Sequence, residues 1–567
     1  MKIFNKLTLT HLIYAGILVV ALTMRLVNLN EVPLANNEAQ HALCTLDGQR
    51  GGCEGISRLY TFFTSIIFTL FGANNFSSRV VPAIIGSLIV LIPPMLDSII
   101  ERKSGIVLAI CLALDPILIQ TSRAADGTII GIVFILYLMT FLLKQDWLAV
   151  LVMFGFGSLS GASFWLGLAI LGATYAVTGL LTRKNKKDKT HQNIFVCPLK
   201  NQSKNKTFFV LLLILWIGIS TRMLTDLAGL LSPLNSLAAI FTSGGSLAAE
   251  TSLPTDVRLI VFCFYSFYAI IFSFSAFFHA VQDQNRKNLF LLIWILLGMV
   301  IFLIPQFSFY EAAWICIPMW ALAASSIVQI GKNAMQEKQA LRIPILVGIA
   351  ILVFLSLQIV RLHYLLSVGL DLTKNLILLV APILLCILFI LLYGYGWSKT
   401  LALRVVSVLF LFCGAFALLR NANRAANLTG TIEYELVRQG PFLHNSDILI
   451  DEIENYRITN GALPEDIHIA LSIADQTESM EWLLKNYSVD VVSELSDKNT
   501  DDYEILILDP DSLQSFSDYY SQDLALSSNL AWIQKDFSGF LPDEILEWLI
   551  YRGGTLQLED YTLWFKL

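Results

Sequence analysis

The sequence predicts a polytopic α-helical membrane protein of about thirteen transmembrane helices, followed by a water-soluble α/β domain. Three observations lead to this prediction. Apolar residues make up 56% of the 567 residues and charged residues only 14%, and the mean hydropathy is +0.66. Apolar runs long enough to cross a bilayer as helices recur along the chain. From Asn421 onward, 27 acidic residues face only 8 basic ones.

We therefore divide the chain into a membrane domain, residues 1–425, and an acidic soluble domain, residues 426–567. The acidic balance of the second domain argues against nucleic acid as a partner. The first apolar run, Leu9–Leu22, has the length of a signal peptide. No small-residue cleavage site precedes Arg25, so we interpret the run as a retained first helix in contact with the lipid bilayer.

The predicted spans follow the apolar runs in chain order. They lie at 8–28, 79–98, 105–122, 127–143, 147–160, 162–181, 207–225, 258–280, 288–304, 312–330, 343–362, 376–393 and 401–420.

Basic residues concentrate in the loops on one side of these spans. The loop 183–206 holds eight Lys and Arg against one Asp. Because short cytoplasmic loops are enriched in Lys and Arg, we assign this side to the cytoplasm. An odd number of spans then places the N-terminus in the cytoplasm and residues 426–567 outside. The prediction is a multi-pass protein of the plasma or inner membrane with an extracytoplasmic C-terminal domain.

The first outer loop, residues 29–78, is long. Within it, 57–71 is apolar but too short to span, so we predict a helix lying at the membrane interface, with a re-entrant segment as the alternative. Cys44 and Cys53 are the only cysteine pair that shares an outer loop. We predict a disulfide between them in an oxidising compartment. Two free thiols are the alternative.

Strand-like runs alternate with amphipathic helices in the C-terminal domain. Helices are predicted at 477–487 (TESMEWLLKNY) and 541–552 (LPDEILEWLIYR). The predicted strands are DILI at 447–450, IHIAL at 467–471, VDVV at 489–492, EILIL at 504–508 and YTLWFK at 561–566.

The outer loops contain three groups of polar residues. Asn37, Glu38 and His41 form the first, in which a carboxylate beside an imidazole suits removal of a proton from a hydroxyl. The alternative is that N-N-E-A caps the next helix. In the second group, Arg123 suits a phosphate, although it could instead pair with Asp126 on one helix face or extend to the lipid headgroups.

The third group combines Tyr310 and Glu311 in a short loop with Arg222 and Asp226, where the seventh span emerges. Each of these residues alone is a weak indication, because interfacial tyrosines are expected in any membrane protein.

Several motifs occur in a recognisable order. R-L-x-x-L-x-x-x-P-L (25–34) ends the first span and is followed by two polar residues and Glu-Ala. FGANNFSSRVVPAIIGSL (71–88) comes next, then P-x-x-x-x-x-S-R-x-x-x-D (116–126) and IPMWALA (317–323). Over residues 8 to about 330 this order resembles the C-type (GT-C) polyprenyl-phosphate-dependent membrane glycosyltransferases. That superfamily includes protein O-mannosyltransferases, aminoarabinose transferases and the RgtA/B/C/D-like group.

The resemblance implies transfer of a sugar from a polyprenyl-phosphate donor to a protein, lipid or glycan acceptor outside the membrane. The family carries an Asp-Glu pair in the first outer loop, with the Asp acting as base or metal contact. Here those positions are Asn37 and Glu38, which become the candidate catalytic residues. Arg123 and Arg222 are the candidates for binding the donor phosphate. The candidate substrate-binding residues are His41, Asp126, Tyr310 and Glu311.

Scattered histidines give no protein-only metal site, so we predict no metal centre and no certain cofactor, and leave a divalent cation open. Asn37 keeps a second interpretation open, a non-catalytic membrane protein of the same fold that is accessory to cell-envelope glycan assembly or export. A transporter is a third interpretation.

Overall fold

We describe the protein from a computed structural model. It describes residues 8–48, 50, 52–53, 55–97, 99–183, 206–242, 254–274, 286–367, 373–430, 432–437, 442–473, 476–492, 500, 502–509, 516–530, 548 and 551–567. The basic loop at 184–205 and most of the helix predicted at 541–552 lie outside the described residues.

Helices account for almost all regular structure before residue 426. Their bounds are α1 Leu9–Leu26, α2 Asn36–Leu46, α3 Arg58–Phe71, α4 Asn75–Ser87, α5 Ile92–Met95, α6 Arg102–Leu114, α7 Pro116–Arg123, α8 Thr128–Lys144, α9 Trp147–Gly157, α10 Ala162–Arg183, α11 Lys206–Ser220, α12 Ser232–Thr242, α13 Thr255–Tyr265, α14 Phe267–Phe274, α15 Arg286–Phe302, α16 Ala313–Gln336, α17 Lys338–Ser367, α18 Thr373–Gly396 and α19 Lys399–Ala425.

This part of the chain forms a multi-pass membrane protein. Helix occurs within each of the thirteen predicted spans. Among the described residues, six helical segments are long and apolar enough to cross a bilayer alone, and eight if each bent helix pair is counted as one span. Helices α8 and α9 are apolar but shorter. The exact number of thirteen therefore stays a prediction.

The third predicted span is broken where α6 meets α7. Pro116 has no N–H to continue the helix, and the two helices meet at 54°. The side chain of Asp115 restarts the helix by accepting the N–H of Leu118 at 2.9 Å, and it also accepts the indole N–H of Trp320 at 2.7 Å. Asp115 thus links the start of α7 to α16 at the break, and α7 is directed toward the C-terminal end of α1.

The first outer loop is built from α2, α3 and the start of α4. Helix α3 coincides with the predicted interfacial helix at 57–71, and the hydroxyl of Ser57 accepts the N–H of Tyr60 at its start. It ends at Gly72, whose φ of 80° favours glycine. Asn74 and Ser77 then exchange hydrogen bonds of 2.8 Å in a capping box that begins α4. These tight turns fold α4 back beside α2 and α3.

The C-terminal unit, residues 426–567, contains a mixed six-stranded sheet with its own hydrophobic core. The strand order is β1-β5-β6-β4-β2-β3, with β2 parallel to β3 and β4 and the remaining pairs antiparallel. The bounds are β1 Phe442–Leu443, β2 His468–Ser472, β3 Ser488–Val491, β4 Ile505–Leu508, β5 Tyr519–Leu530 and β6 Leu556–Lys566, with helices α20 Ser446–Asn460 and α21 Thr477–Leu483.

Four of the five strands expected in this unit are present, but the strand predicted at 447–450 is wrong. DILI belongs to α20, where Leu449 and Ile453 are buried one turn apart. The helix ends at Gly461, whose φ is 63°. The apolar run was therefore one face of a helix. Strands β1 and β5 were not anticipated.

Candidate active site

Glu38 lies in the first turn of α2. Its Oε2 accepts the N–H of Ala35 at 3.0 Å, which satisfies a backbone donor that the start of the helix leaves free. A negative charge in the first turn is also favoured by the helix dipole. Glu38 therefore does part of what the helix-capping alternative predicts.

Arg79 of α4 pairs with Glu38 in a two-pronged geometry. Its Nη2 lies 2.6 Å from Oε2 and its Nε 3.1 Å from Oε1. The N–H of Ala125, between α7 and α8, donates to Oε1 at 2.9 Å. A carboxylate offers about four lone-pair sites. Together with the bond from Ala35, these contacts give each oxygen of Glu38 two donors, while both side chains are buried.

Arg79 also ties the chain that enters α2 to α4. Its guanidinium donates to the carbonyls of Leu29 at 3.1 Å, Val32 at 2.6 Å and Pro33 at 3.0 Å. No role for Arg79 was expected from the sequence. The available signal was a lone arginine in the apolar stretch SSRVVPAIIG, since an arginine that cannot face water needs a partner.

A small cavity lies beside this pair. It brings Glu38 together with two other residues singled out from the sequence, Arg123 and Tyr310. Leu29, Val32, Arg79, Gln120 and Ala124 complete its lining.

Arg123 is held by the C-terminal end of α1. One of its terminal nitrogens donates to three carbonyls, the shortest bond being 2.6 Å to Val27, and the other donates to Asn28 at 3.3 Å. A cation there also complements the helix dipole. Helix α7 ends at Arg123, and Ala124 is extended. The expectation that Arg123 and Asp126 share a helix face is therefore wrong, and no ion pair joins these two described residues.

Asp126 is half-buried in the turn before α8. Its two oxygens accept one hydrogen bond each from Thr128, from the backbone N–H at 3.0 Å and from the hydroxyl at 2.9 Å. The pKa of Asp126 is raised to about 7, mainly by burial and to a smaller extent by the charges of Glu38 and Glu311, while the Thr128 bonds act in the opposite direction. Asp126 can thus change protonation near neutral pH, and its oxygens retain free acceptor capacity.

His41 lies close enough to Glu38 to interact with its charge, and Glu311 interacts in the same way with Asp126. Burial lowers the pKa of His41 to about 4, so the ring is neutral at physiological pH, and its Nδ1 has no hydrogen-bond partner in the described structure. Glu311 lies in the turn Phe309–Ala312 and is buried. It accepts a hydrogen bond from Ser163 and another of 2.7 Å from the indole of Trp314.

Asn37 is half-buried, and its side chain makes no hydrogen bond to any residue that the structure describes. It occupies the position of the family's Asp, next to Glu38 and one turn of helix before His41. Its amide is therefore available to a ligand, but it cannot take up a proton.

Arg222 lies at the other end of α2, and it does not line the cavity beside Glu38. Its Nη2 donates to the carbonyl of Cys44 at 2.8 Å. A Cβ at Gly48 would stand 2.4 Å from its Nη1, so a larger residue there would displace the end of the Arg222 side chain. Arg58 and Asp226 form an ion pair of 2.7 Å.

The structure pairs Cys44 with Cys53, with Cα atoms 5.8 Å apart. In the described part of the chain, no three His, Cys, Asp or Glu side chains are arranged to hold a metal ion. The described residues therefore offer no ligand set for the divalent cation that the sequence left open.

Comparisons with known proteins bear on the fold. Residues 58–199 match the family described as dolichyl-phosphate-mannose-protein mannosyltransferase. ArnT from Cupriavidus metallidurans bound to undecaprenyl phosphate superposes with a TM-score of 0.51 at 13% identity, covering 88% of this chain and 93% of ArnT. Its apo form gives a TM-score of 0.51 at 14% identity over the same shares. A search of curated proteins finds no match.

At such identities the likeness concerns the fold, and it covers 88% of this chain. The resemblance inferred from the sequence motifs is confirmed: this chain has the fold of the GT-C membrane glycosyltransferases.

Proposed function

We propose that this protein transfers a sugar from a polyprenyl-phosphate donor to a hydroxyl of a protein, lipid or glycan outside the cytoplasm. The observation that carries the proposal is the convergence of Glu38, Arg79 and Arg123 around one cavity, with Asp126 close enough to interact electrostatically with Glu38 and Glu311. ArnT, which has this fold, was solved with undecaprenyl phosphate bound. A lipid-linked donor also suits an outer site, because nucleotide sugars are not available there.

In the proposed reaction the acceptor oxygen attacks the anomeric carbon while the bond from that carbon to the phosphate oxygen breaks. By analogy with the family, the configuration at that carbon inverts. The proton of the acceptor passes to a carboxylate of the protein, and the polyprenyl phosphate leaves with the bonding electron pair. The protein must therefore supply a proton acceptor and stabilise the charge on the phosphate.

Asp126 is better suited than Glu38 to accept that proton. The four donors around Glu38 occupy its lone pairs and stabilise the carboxylate, whereas each oxygen of Asp126 has only one donor. A general base works best when its pKa lies near the operating pH, as that of Asp126 does. In this proposal Glu38 fixes Arg79 and the cavity wall. The assignment of Asp126 as the base replaces the simpler hypothesis that Glu38 is itself the base.

The donor phosphate is assigned to Arg123 at the cavity, and Arg222, which lies beyond α2 and outside that cavity, is the alternative phosphate contact. Arg222 supports this role because its Nε is buried without a partner in the described structure. Arg123 faces the cavity but is already bonded to the end of α1. Asn37, His41, Tyr310 and Glu311 remain the proposed contacts of the sugar and the acceptor.

The non-catalytic alternative is supported by one observation, the amide of Asn37 in place of a carboxylate. The experiment that separates the two functions uses purified protein in lipid nanodiscs with a panel of radiolabelled polyprenyl-phosphate sugars. Release of free polyprenyl phosphate together with a labelled product supports the transferase, provided that Asp126→Asn abolishes it. Donor binding without turnover by the wild-type protein would support the accessory role.

The orientation in the membrane is part of the proposal. A reporter that is active only in the cytosol, fused after Leu567, should be silent. Activity of that reporter would place the C-terminal unit, and with it the site, on the cytoplasmic side.

A further inference from the structure

Helix α21 of the C-terminal unit lies directly on α2, the helix that carries Glu38. The backbone N–H of Ser479 donates to Oδ1 of Asn36 at 3.0 Å, and the Ser479 hydroxyl donates to the carbonyl of Leu34 at 3.1 Å. Leu34 lies just before α2, and Asn36 is the first residue of that helix. The first turn of α21 is thereby bonded to the chain within four residues of Glu38.

The same helix also reaches α4, the helix that carries Arg79. The indole N–H of Trp482 donates to Oδ1 of Asn75, the first residue of α4, at 2.9 Å. Its ring is buried, with its centroid 5.8 Å from that of Phe68 at the end of α3. Asn75 and Arg79 are four residues apart, so they lie on one face of α4. Trp482 therefore holds the face of α4 that presents Arg79 to Glu38.

A third contact lies beyond the C-terminal end of α2. Arg50, in the loop closed by Cys44 and Cys53, forms a two-pronged ion pair with Glu481, and its Nη2 lies 2.6 Å from Oε2. Two-pronged arginine–carboxylate pairs fix orientation as well as distance. Helix α21 thus contacts the chain on both sides of α2.

These contacts matter because α2 needs them to stay in place. It has only 11 residues, and helices of that length are marginal in isolation. The buried Glu38–Arg79 pair, in contrast, needs accurate alignment of α2 with α4, since a misaligned buried ion pair loses attraction while its desolvation cost remains.

We propose that α21 is a positioning element for the active site. Ser479, Glu481 and Trp482 hold α2 and α4 in the register that forms the Glu38–Arg79 pair. The C-terminal unit thereby controls the geometry of the cavity without contributing a group to the chemistry. The effect on turnover rests on the function proposed above, whereas the effect on α2 does not.

The test is a charge exchange in the full-length protein in nanodiscs, read by amide hydrogen exchange. Arg50→Glu and Glu481→Arg alone should each speed exchange in peptides covering 34–47, because the ion pair becomes a repulsion. The double exchange R50E/E481R restores the attraction and should return exchange toward the wild-type rate. Peptides covering β4 and β6 should be unchanged in all three variants, which shows that the sheet remains folded.

A matched pair of tryptophan substitutions provides the second arm. Trp482→Phe keeps an aromatic ring but removes the donor to Asn75, and it should speed exchange at 34–47 and at the start of α4. Trp564→Phe in β6 is the control, because the indole N–H of Trp564 has no partner among the described residues. That control should leave exchange in α2 and turnover unchanged.

Turnover is measured on the same variants. The single charge variants should lower kcat on the order of tenfold or more with little change in KM for the donor, since misplaced groups slow the chemical step, and the double variant should recover it. Unchanged exchange in α2 in the single variants, or no recovery in the double variant, would overturn the positioning role. If exchange responds while the wild-type protein transfers no sugar, the proposed function fails and the positioning role stands.

Discussion

The two carboxylates Glu38 and Asp126 are near enough to interact electrostatically, but their surroundings are opposite. Glu38 is buried between α2 and α4 with four donors, two of them from the guanidinium of Arg79. Asp126 lies in a half-buried turn with two neutral donors, both from Thr128. The first environment holds the carboxylate in place through four hydrogen bonds, whereas the second favours a group that exchanges a proton near neutral pH.

The difference separates two tasks that the sequence assigned to one residue. A carboxylate that aligns helices needs every lone pair occupied. A general base needs lone pairs that a substrate can reach. In the proposed mechanism these requirements fall to two residues rather than one, and variants at each should therefore fail in different ways.

The largest expected effect is a loss of folding stability when the Glu38–Arg79 pair is broken. Arg79→Ala leaves a buried carboxylate and three carbonyls without their cation, so the free energy of unfolding should fall by about 3–5 kcal/mol. Thermal unfolding of the solubilised protein measures this change.

The control for that variant is Lys332→Ala, which removes the exposed ion pair with Glu101, 2.8 Å long. Exposed pairs contribute about 0–1 kcal/mol. If the Arg79 and Lys332 variants were equally stable, the Glu38–Arg79 pair would not organise the site.

The second effect separates chemistry from stability. Asp126→Asn should lower turnover by roughly a hundredfold or more, because the base is lost, and it should leave the melting temperature near that of the wild type. Glu38→Gln should lower the melting temperature, since an amide nitrogen must then face one of the donors around Glu38. Full turnover in the Asp126 variant would reverse the assignment of the two carboxylates.

The smallest effect concerns the loop beyond α2. Replacing Cys44 and Cys53 by serine should lower the free energy of unfolding by about 2–3 kcal/mol, because a short closed loop is released. Mass spectrometry of unreduced peptides provides the direct check. Alkylation of both thiols without prior reduction would remove the disulfide from the account.

The membrane fold could be predicted from the sequence because lipid imposes a simple rule. Each span must hydrogen-bond its own backbone N–H and C=O groups, because lipid offers them no partner. The length of an apolar run is therefore enough to locate a helix, and helix occurs in every predicted span. The break at Asp115–Pro116 was not predicted, although the proline was visible within the run. In the C-terminal unit, DILI was misread as a strand because so short a run fits both the two-residue period of a strand and the 3.6-residue period of a helix. The spacing of Leu449 and Ile453 and the glycine at 461 were the signals for a helix.

The candidate site was only partly predictable. Glu38, Arg123 and Tyr310 stood out as polar residues in outer loops, and the structure brings them to one cavity. Arg79 did not stand out, because its partner lies 41 residues away and its carbonyl acceptors are ordinary backbone. The contact of α21 with α2 joins positions more than 400 residues apart. Such pairings depend on tertiary packing and leave no local pattern.

The measurement that tests the central claim most directly is the pH dependence of kcat for the wild-type protein and the Asp126→Asn and Glu38→Gln variants. A base must be deprotonated, and burial raises the pKa of Asp126 to about 7. Wild-type turnover should therefore fall as the pH drops below about 7, by roughly tenfold per pH unit. Asp126→Asn should lose this dependence with its activity, and Glu38→Gln should retain it. A wild-type profile that is flat down to pH 5, or one whose acidic limb survives in Asp126→Asn, would contradict the account.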